Sequence, residues 1–544
     1  MTQLTDLADE FYDYALALSP TSLMWSGKLE HLTEWDDVSV EGRARAHERL
    51  MEFARAAEAI EVGDDLQALA LRDVVSTSAR STALGLAWLE LEVLNPRMGV
   101  WELLLSFAGG YPLATAQHGE DYITKLRHLP RYLDDIMDVA EDAADEGRVA
   151  LESHLLDTAR SAEAYLRAAG EGDDRLCSQP APTKLDDAAQ DQWRRDRDRT
   201  VSADVHPAVA RFADRLRALA ERGAPDDKPG LVHHAGGAAV YRDKMWSHLL
   251  IDVTPEQVHQ LGLDQVAKLE DEYRAIAGPL LGTDDIDEIY RRLRDDESLK
   301  YTSAEDLIRD AEAALAKANA EAPKWFAHLP KSECTAHATD FGPMAYYSQP
   351  NPETGKQGDF FFKTSDPRAW ATYELEAIAY HEAIPGHHLQ LALHAENEDL
   401  HVVQREFFNT AYIEGWGLYT ERLSDEMGLY SSEMDRVGML SADSLRACRL
   451  VVDTGMHALG WSREQAIDYV LAHSPMDRHH VEQEVDRYIG LPGQALSYMV
   501  GRQEIMAIRA EAQSRPGFDI RAFHDAVLGY GAVPLTTLRT IVLG

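Results

Sequence analysis

"HEAIPGHHLQ", residues 381–390, decides how the surrounding chain folds. His381 and Glu382 open it as they would open an H-E-x-x-H helix. There, two histidines one turn apart can hold a metal and the glutamate can serve as a base. The position for the second histidine is taken by Pro385, and the pair His387–His388 follows. An unbroken helix would put His387 about 240° round the axis from His381, and His388 on the same face but about 10.5 Å further along. Neither placement makes a chelate. Pro385 cannot donate to the carbonyl of residue 381 and its ring opposes a continuous helix, while Gly386 adds backbone freedom. "AIPG" is therefore expected to be a bulge or a broken turn, an irregularity that recurs at functional sites. A break absorbing two residues brings His387 to the second-ligand position, and one that merely shortens the span brings His388 there.

A hydrolytic zinc site needs three protein ligands and an open position. The third is sought on a following helix. "NTAYIEGWGLYTERL", 409–423, offers Glu414 between aromatic and small residues, with Glu421 two turns later on the same face as the less favoured choice. Glu382 is the candidate general base. Four ionisable residues within eight, on a mostly apolar stretch with a Pro-Gly break, are costly to place without a role. One zinc ion is the expected cofactor. His/His/Glu sets also accept other divalent metals.

Helical periodicity dominates the rest of the chain. "VEGRARAHERLMEFARAAEAI" (40–60) repeats apolar residues every three or four positions, and 129–170 reads as two or more helices. Ser303, three residues before Asp306, resembles a capping box. Further helices are predicted at 257–277, 367–384, 403–426, 433–459 and 463–472. Residues 171–202 read as a surface connection plus a charged helix. The one stretch with strand character is 331–365, where "MAYY" and "DFFF" flank a turn-rich segment. A small sheet or hairpin is expected there, just before the helix bearing His381. A boundary near "GAPDDKPG" would divide an N-terminal helical lobe, 1–230, from a catalytic helical lobe, 231–544, within one continuous unit.

The 544 residues carry a formal net charge of −40. Such a field repels phosphates and anionic lipid, so nucleic acid and membrane are not expected partners. Three widely spaced cysteines, Cys177, Cys334 and Cys448, make neither a disulfide framework nor a thiolate zinc site. The first twenty residues lack a basic and then apolar leader pattern, and no run of about 18 apolar residues exists. A cytoplasmic protein is expected.

"HEAIPGHHLQ", "NTAYIEGWGLYTERL", "LRACRLVVDTGMHALGWSREQAIDYV", "EVDRYIGLPGQALSYMVGRQEI" and "FDIRAFHDAVLGYGAVPL" resemble successive blocks of the bacterial domain-of-unknown-function family 885, and "DEFYDYALALSPTSLMWSG" resembles its opening. The resemblance covers nearly the whole chain. That family is similar to the gluzincin metallopeptidases, notably carboxypeptidase Taq and, more distantly, oligopeptidases and angiotensin-converting enzyme. It implies a mainly α, two-lobed body with a deep cleft and one zinc. Carried over, His381 matches the first ligand, Glu382 the base and Glu414 the glutamate ligand. In the relatives the second histidine commonly follows a glycine, which favours His387, with His388 as the alternative. Similar peptidases stabilise the oxyanion with a late tyrosine or histidine, which points to Tyr498.

Arg502, one turn from Tyr498, is a candidate for pairing with a substrate carboxylate, and Arg487 and Tyr488 are second choices. Arg449, Asp453 and His457 recur at four-residue steps. Asp453 and His457 are thus candidates for orienting a metal ligand. Tyr346 and Tyr347 could line the substrate path beside a strand edge. The pairs His233–His234 and His479–His480 have no acid–base partner at metal spacing. The expected function is hydrolysis of peptide-like amide bonds, by a carboxypeptidase or dipeptidase type of enzyme acting on short peptides. A zinc amidohydrolase or tailoring enzyme for a small-molecule metabolite is the second reading, and a non-catalytic helical binding protein the third.

Overall fold

The computed structural model describes residues 2–23, 27–340, 344–352 and 355–544. It is mainly helical, with one small sheet. The helices begin where short polar side chains can accept from free backbone N–H groups. Ser39 accepts from Gly42, Ser303 from Asp306, Asn409 from Tyr412 and Ser432 from Asp435. Three predicted helices are present with shifted ends, at Pro255–Leu281, Glu433–His457 and Arg463–His473, while the one expected at 403–426 is split into Val402–Glu406 and Thr410–Glu426. The region 367–384 is different. Two single 3₁₀ turns precede a short helix, Leu375–Glu382. Residues 129–170 fall in two helices, Ala116–Asp145 and Glu152–Gly170, and the charged helix of 171–202 is Asp187–Thr200.

Two clusters of buried apolar side chains fill the molecule. One runs from Leu32 to Ala220. The larger joins Leu4–Ala83 to Leu231–Leu543, so the first helices pack with the C-terminal half. Its axis is the helix Glu433–His457, buried on nearly every side from Val437 onward, as expected of a helix enclosed by others. Gly262 lets Pro255–Leu281 lie against it, since a Cβ there would sit 2.7 Å from Val451 and 2.8 Å from Leu450.

The expected sheet has three strands, β1 (Cys334–Thr339), β2 (Ala345–Ser348) and β3 (Gly358–Lys363), in the order β1-β3-β2. β2 and β3 form the antiparallel hairpin, with Tyr347 opposite Phe360, and β1 joins parallel to β3. Phe360 and Phe362 point into the core while Phe361 stacks on Tyr346, the alternation of a half-buried sheet. Residues 341–343 and 353–354 of the predicted strand region lie outside the described residues.

Candidate metal centre

The helix Leu375–Glu382 stops at the predicted break. Ala383 leaves helical geometry (φ −104°, ψ −117°), as does Gly386 (φ −81°, ψ −128°). A new helix, His387–Glu396, starts immediately after. Gly386 is needed here for a steric reason. A Cβ at this position would fall 1.8 Å from the carbonyl oxygen of His381. Trp416 fixes the broken turn from the other side, its indole N–H lying 3.1 Å from the Pro385 carbonyl and 3.3 Å from that of Gly386.

The break turns His387 back toward His381, with ring centroids 4.7 Å apart and nearly perpendicular. Glu414, on the helix Thr410–Glu426, completes the group. Its Oε2 lies 3.5 Å from His381 Nε2 and 3.4 Å from His387 Nε2. One ligand atom from each of the three lies within 4.8 Å of the others. Gly417 makes the room, because a Cβ there would stand 2.6 Å from His381 Cε1.

Electrostatics explains why a cation suits this spot. His381 Nδ1 lies 2.7 Å from Glu421 Oε1 and donates to it, which leaves the Nε2 lone pair facing the Glu414 carboxylate. Two acceptors face each other stably only with positive charge between them, a proton or a metal ion. The same demand shows in the ionisation of the protein groups alone. Burial would lower the His381 pKa, but Glu414 and Glu421 raise it to about 9. Burial opposes the Glu414 charge, but the two imidazoles hold its carboxyl far below the usual range. His387 Nδ1 is buried with no hydrogen-bond partner among the described residues. The donor set, two imidazole nitrogens and a carboxylate oxygen, fits a tetrahedral zinc site with one position open.

His388 does not join this group. Its Nδ1 is 2.8 Å from the Tyr347 hydroxyl and its Nε2 3.0 Å from the Ser332 carbonyl, so it ties the sheet to the helix. Tyr347 is correspondingly committed to His388, and Gly358 leaves space for both. Glu382 is half-buried and takes no hydrogen-bond partner among the described residues. Tyr498 lies against the group, its ring stacked on that of His381 with centroids 6.4 Å apart. It is carried there by the helix Ser497–Gln513, which crosses Thr410–Glu426 where Gly501 meets Gly415, the added Cβ of either striking the other's backbone.

Three sequence expectations are corrected. Arg502 is buried and bonded to Asp443, which also receives Arg422, and its Nη2 faces Met499 Sδ. It is a core ion pair and has no face for a substrate. Asp453 accepts from the Tyr241 hydroxyl at 2.6 Å and from the Gly493 N–H. His457 bridges the Leu231 N–H and the Tyr488 carbonyl. Neither reaches a ligand of the group. The residue that orients His381 is Glu421, which the sequence placed on the Glu414 face as a weaker candidate ligand. Arg487 reaches Tyr498, its Nη2 lying 3.4 Å from the hydroxyl. Sequence reasoning passed over Arg446, whose guanidinium is 5.9 Å from the Tyr498 ring centroid.

A family model described as "Bacterial protein of unknown function (DUF885)" matches residues 20–542, and the chain belongs to that family. No curated protein matches it. Two solved structures are similar to it in fold. One, described as "the putative lipoprotein from Colwellia psychrerythraea", has a TM-score of 0.90 at 23% identity, covering 99% of this chain and 98% of that one. The other, "a putative lipoprotein of unknown function from Shewanella oneidensis", has a TM-score of 0.74 at 19% identity, covering 99% and 100%. Among the described residues no helix is long and apolar enough to cross a membrane.

Proposed function

We propose that this member of the DUF885 family is a zinc-dependent hydrolase of peptide-like amide bonds, a peptidase of the gluzincin kind acting on short substrates. The observation that carries the reading is the convergence of His381, His387 and Glu414, with the far nitrogen of His381 on Glu421. His381, His387 and Glu414 would hold the ion. When bound, it would lower the pKa of a water molecule and polarise the substrate carbonyl.

The chain's own groups supply the rest. Glu382 takes the proton of the attacking water and passes it to the leaving amine. Tyr498 donates its O–H to the oxygen on which charge develops. Its phenol oxygen accepts from Arg487, and the Arg449 guanidinium, 4.5 Å over the ring, holds the ring in place. Glu421 keeps His381 in one tautomer, with its Nε2 turned to the centre.

The test is metal analysis of the purified chain, followed by Glu382→Gln. One zinc per chain is expected in both forms, with hydrolysis of short peptides and N-acyl amino acids lost in the variant. A variant with full activity, or a chain without stoichiometric metal, refutes the reading. A cytoplasmic site of action is part of the proposal, supported by three unpaired cysteines. Fractionation of the native cell tests it.

A further inference from the structure

Around Tyr498, in a chain of net charge −40, three guanidinium groups converge. Arg446 and Arg449 project from adjacent turns of the helix Glu433–His457, and Arg487 comes from Arg478–Gly490. The guanidinium carbons of Arg449 and Arg446 lie 4.5 and 5.9 Å from the Tyr498 ring centroid, and Arg487 reaches its hydroxyl.

Three carboxylates face these three cations, but burial pushes Asp453, near Arg487, up to about 7 and it accepts from Tyr241 and Gly493, which leaves two committed to ion pairs. Glu484 is shared by Arg449 at 2.7 Å and Arg487 at 3.4 Å, and also accepts from Tyr488. Glu421 is 3.9 Å from Arg446 but is bonded to His381 at 2.7 Å. The positive charge therefore exceeds its partners. Arg446 Nη1 donates to the Ala442 carbonyl and Arg487 Nη2 to Gln494 Oε1, but Arg446 Nε and Arg449 Nη1 are buried with no hydrogen-bond partner among the described residues. Uncompensated buried charge and unpaired N–H groups are costly when they serve only packing. Arg446 and Arg487 keep 16% and 19% of their side-chain surface exposed, so a ligand can reach them.

We propose that Arg446 and Arg487, backed by Arg449, form a subsite for a free carboxylate on the substrate. The inference rests on the hydrolase reading for what is then cleaved. The planar forks of arginine suit a carboxylate. The Tyr498 ring spans the space between these groups and His381. The substrate class is a short peptide or N-acyl amino acid with a free carboxylate close to the cleaved bond.

The test is binding to the full-length Glu382→Gln chain, which keeps all three arginines and does not turn the probe over. N-acetyl-Ala-Ala is compared with N-acetyl-Ala-Ala-amide by calorimetry, with zinc supplied and after chelation. The carboxylate is expected to bind at least tenfold more tightly than the amide. Arg446→Gln and Arg487→Gln should each bring that ratio below threefold with zinc content unchanged, and Arg487→Lys should restore part of it. Equal affinities, a ratio indifferent to both variants, or no binding of either probe at millimolar concentration would each overturn the subsite. The preference together with an unsubstituted chain that holds no zinc and cleaves nothing would instead refute the hydrolase reading. The probe comparison is made with every arginine in place, so a misfolded variant does not decide the matter.

Discussion

Gly417→Ala is the sharpest perturbation of the proposed metal centre. The added Cβ would sit 2.6 Å from His381 Cε1 and 2.7 Å from Nε2. Carbon atoms in contact prefer about 3.5–4.0 Å, so the imidazole must retreat by roughly 1 Å. Metal–ligand distances tolerate about 0.2 Å. The ring cannot swing aside freely, because its Nδ1 is bonded at 2.7 Å to Glu421, itself fully buried. Either the ligand nitrogen leaves the centre or a charge-assisted bond worth about 1.5–3 kcal/mol is lost. Zinc affinity should fall at least tenfold, about 1.4 kcal/mol, measured by competition with a chromophoric chelator. Gly85→Ala is the control, since nothing lies within 4 Å of its added Cβ, and it should bind as the unsubstituted chain does. A folded Gly417→Ala chain with zinc affinity within twofold of the parent would refute the argument that this glycine makes room for a ligand.

Glu421→Gln should weaken zinc about 10–100-fold, as loss of a partner that orients a ligand does, while His388→Ala, which loosens only the sheet contact, should leave the stoichiometry unchanged. Arg502→Met should cost about 3 kcal/mol in denaturant unfolding, the range for breaking a buried pair, and leave KM for any substrate within a factor of three; a selective rise in KM would restore Arg502 to the substrate. Burial works against the charge of Asp486, but His154 and Arg463 hold its pKa down to about 2. Its folded value lies below the unfolded one of about 3.9, so its contribution, about 2 kcal/mol, is present above pH 4 and lost as pH falls toward 2. Asp486→Asn should therefore flatten the melting temperature between pH 4 and 2, and an unchanged slope would contradict the assignment.

The long helices were legible because caps and three-to-four-residue apolar spacing are local signals. So was the break after Glu382, from Pro385 and Gly386. The choice between His387 and His388 was not legible, since it turns on the dihedrals of Ala383 and Gly386 and on Trp416, 31 residues from Pro385. Helical spacing correctly put Arg449, Asp453 and His457 together, yet it says nothing of what faces them. The opposing groups, Tyr241, Gly493 and the Tyr488 carbonyl, come from distant segments. Arg502 was misjudged for the same reason, because Asp443 lies on another helix 59 residues away. The parallel pairing of β1 with β3 likewise had no local sign.

Trp416 joins the turn that aims His387 to the helix that carries Glu414, through a single indole N–H shared by two carbonyls. Two of the three candidate ligands are thereby set at a fixed separation by the fold itself. Loading such a centre demands little ordering of the chain, so the ion's binding energy goes into affinity rather than into building structure. Stripping the metal should accordingly leave the melting curve's shape and the far-ultraviolet spectrum nearly unchanged, unlike a zinc finger, which unfolds when its ion is withdrawn.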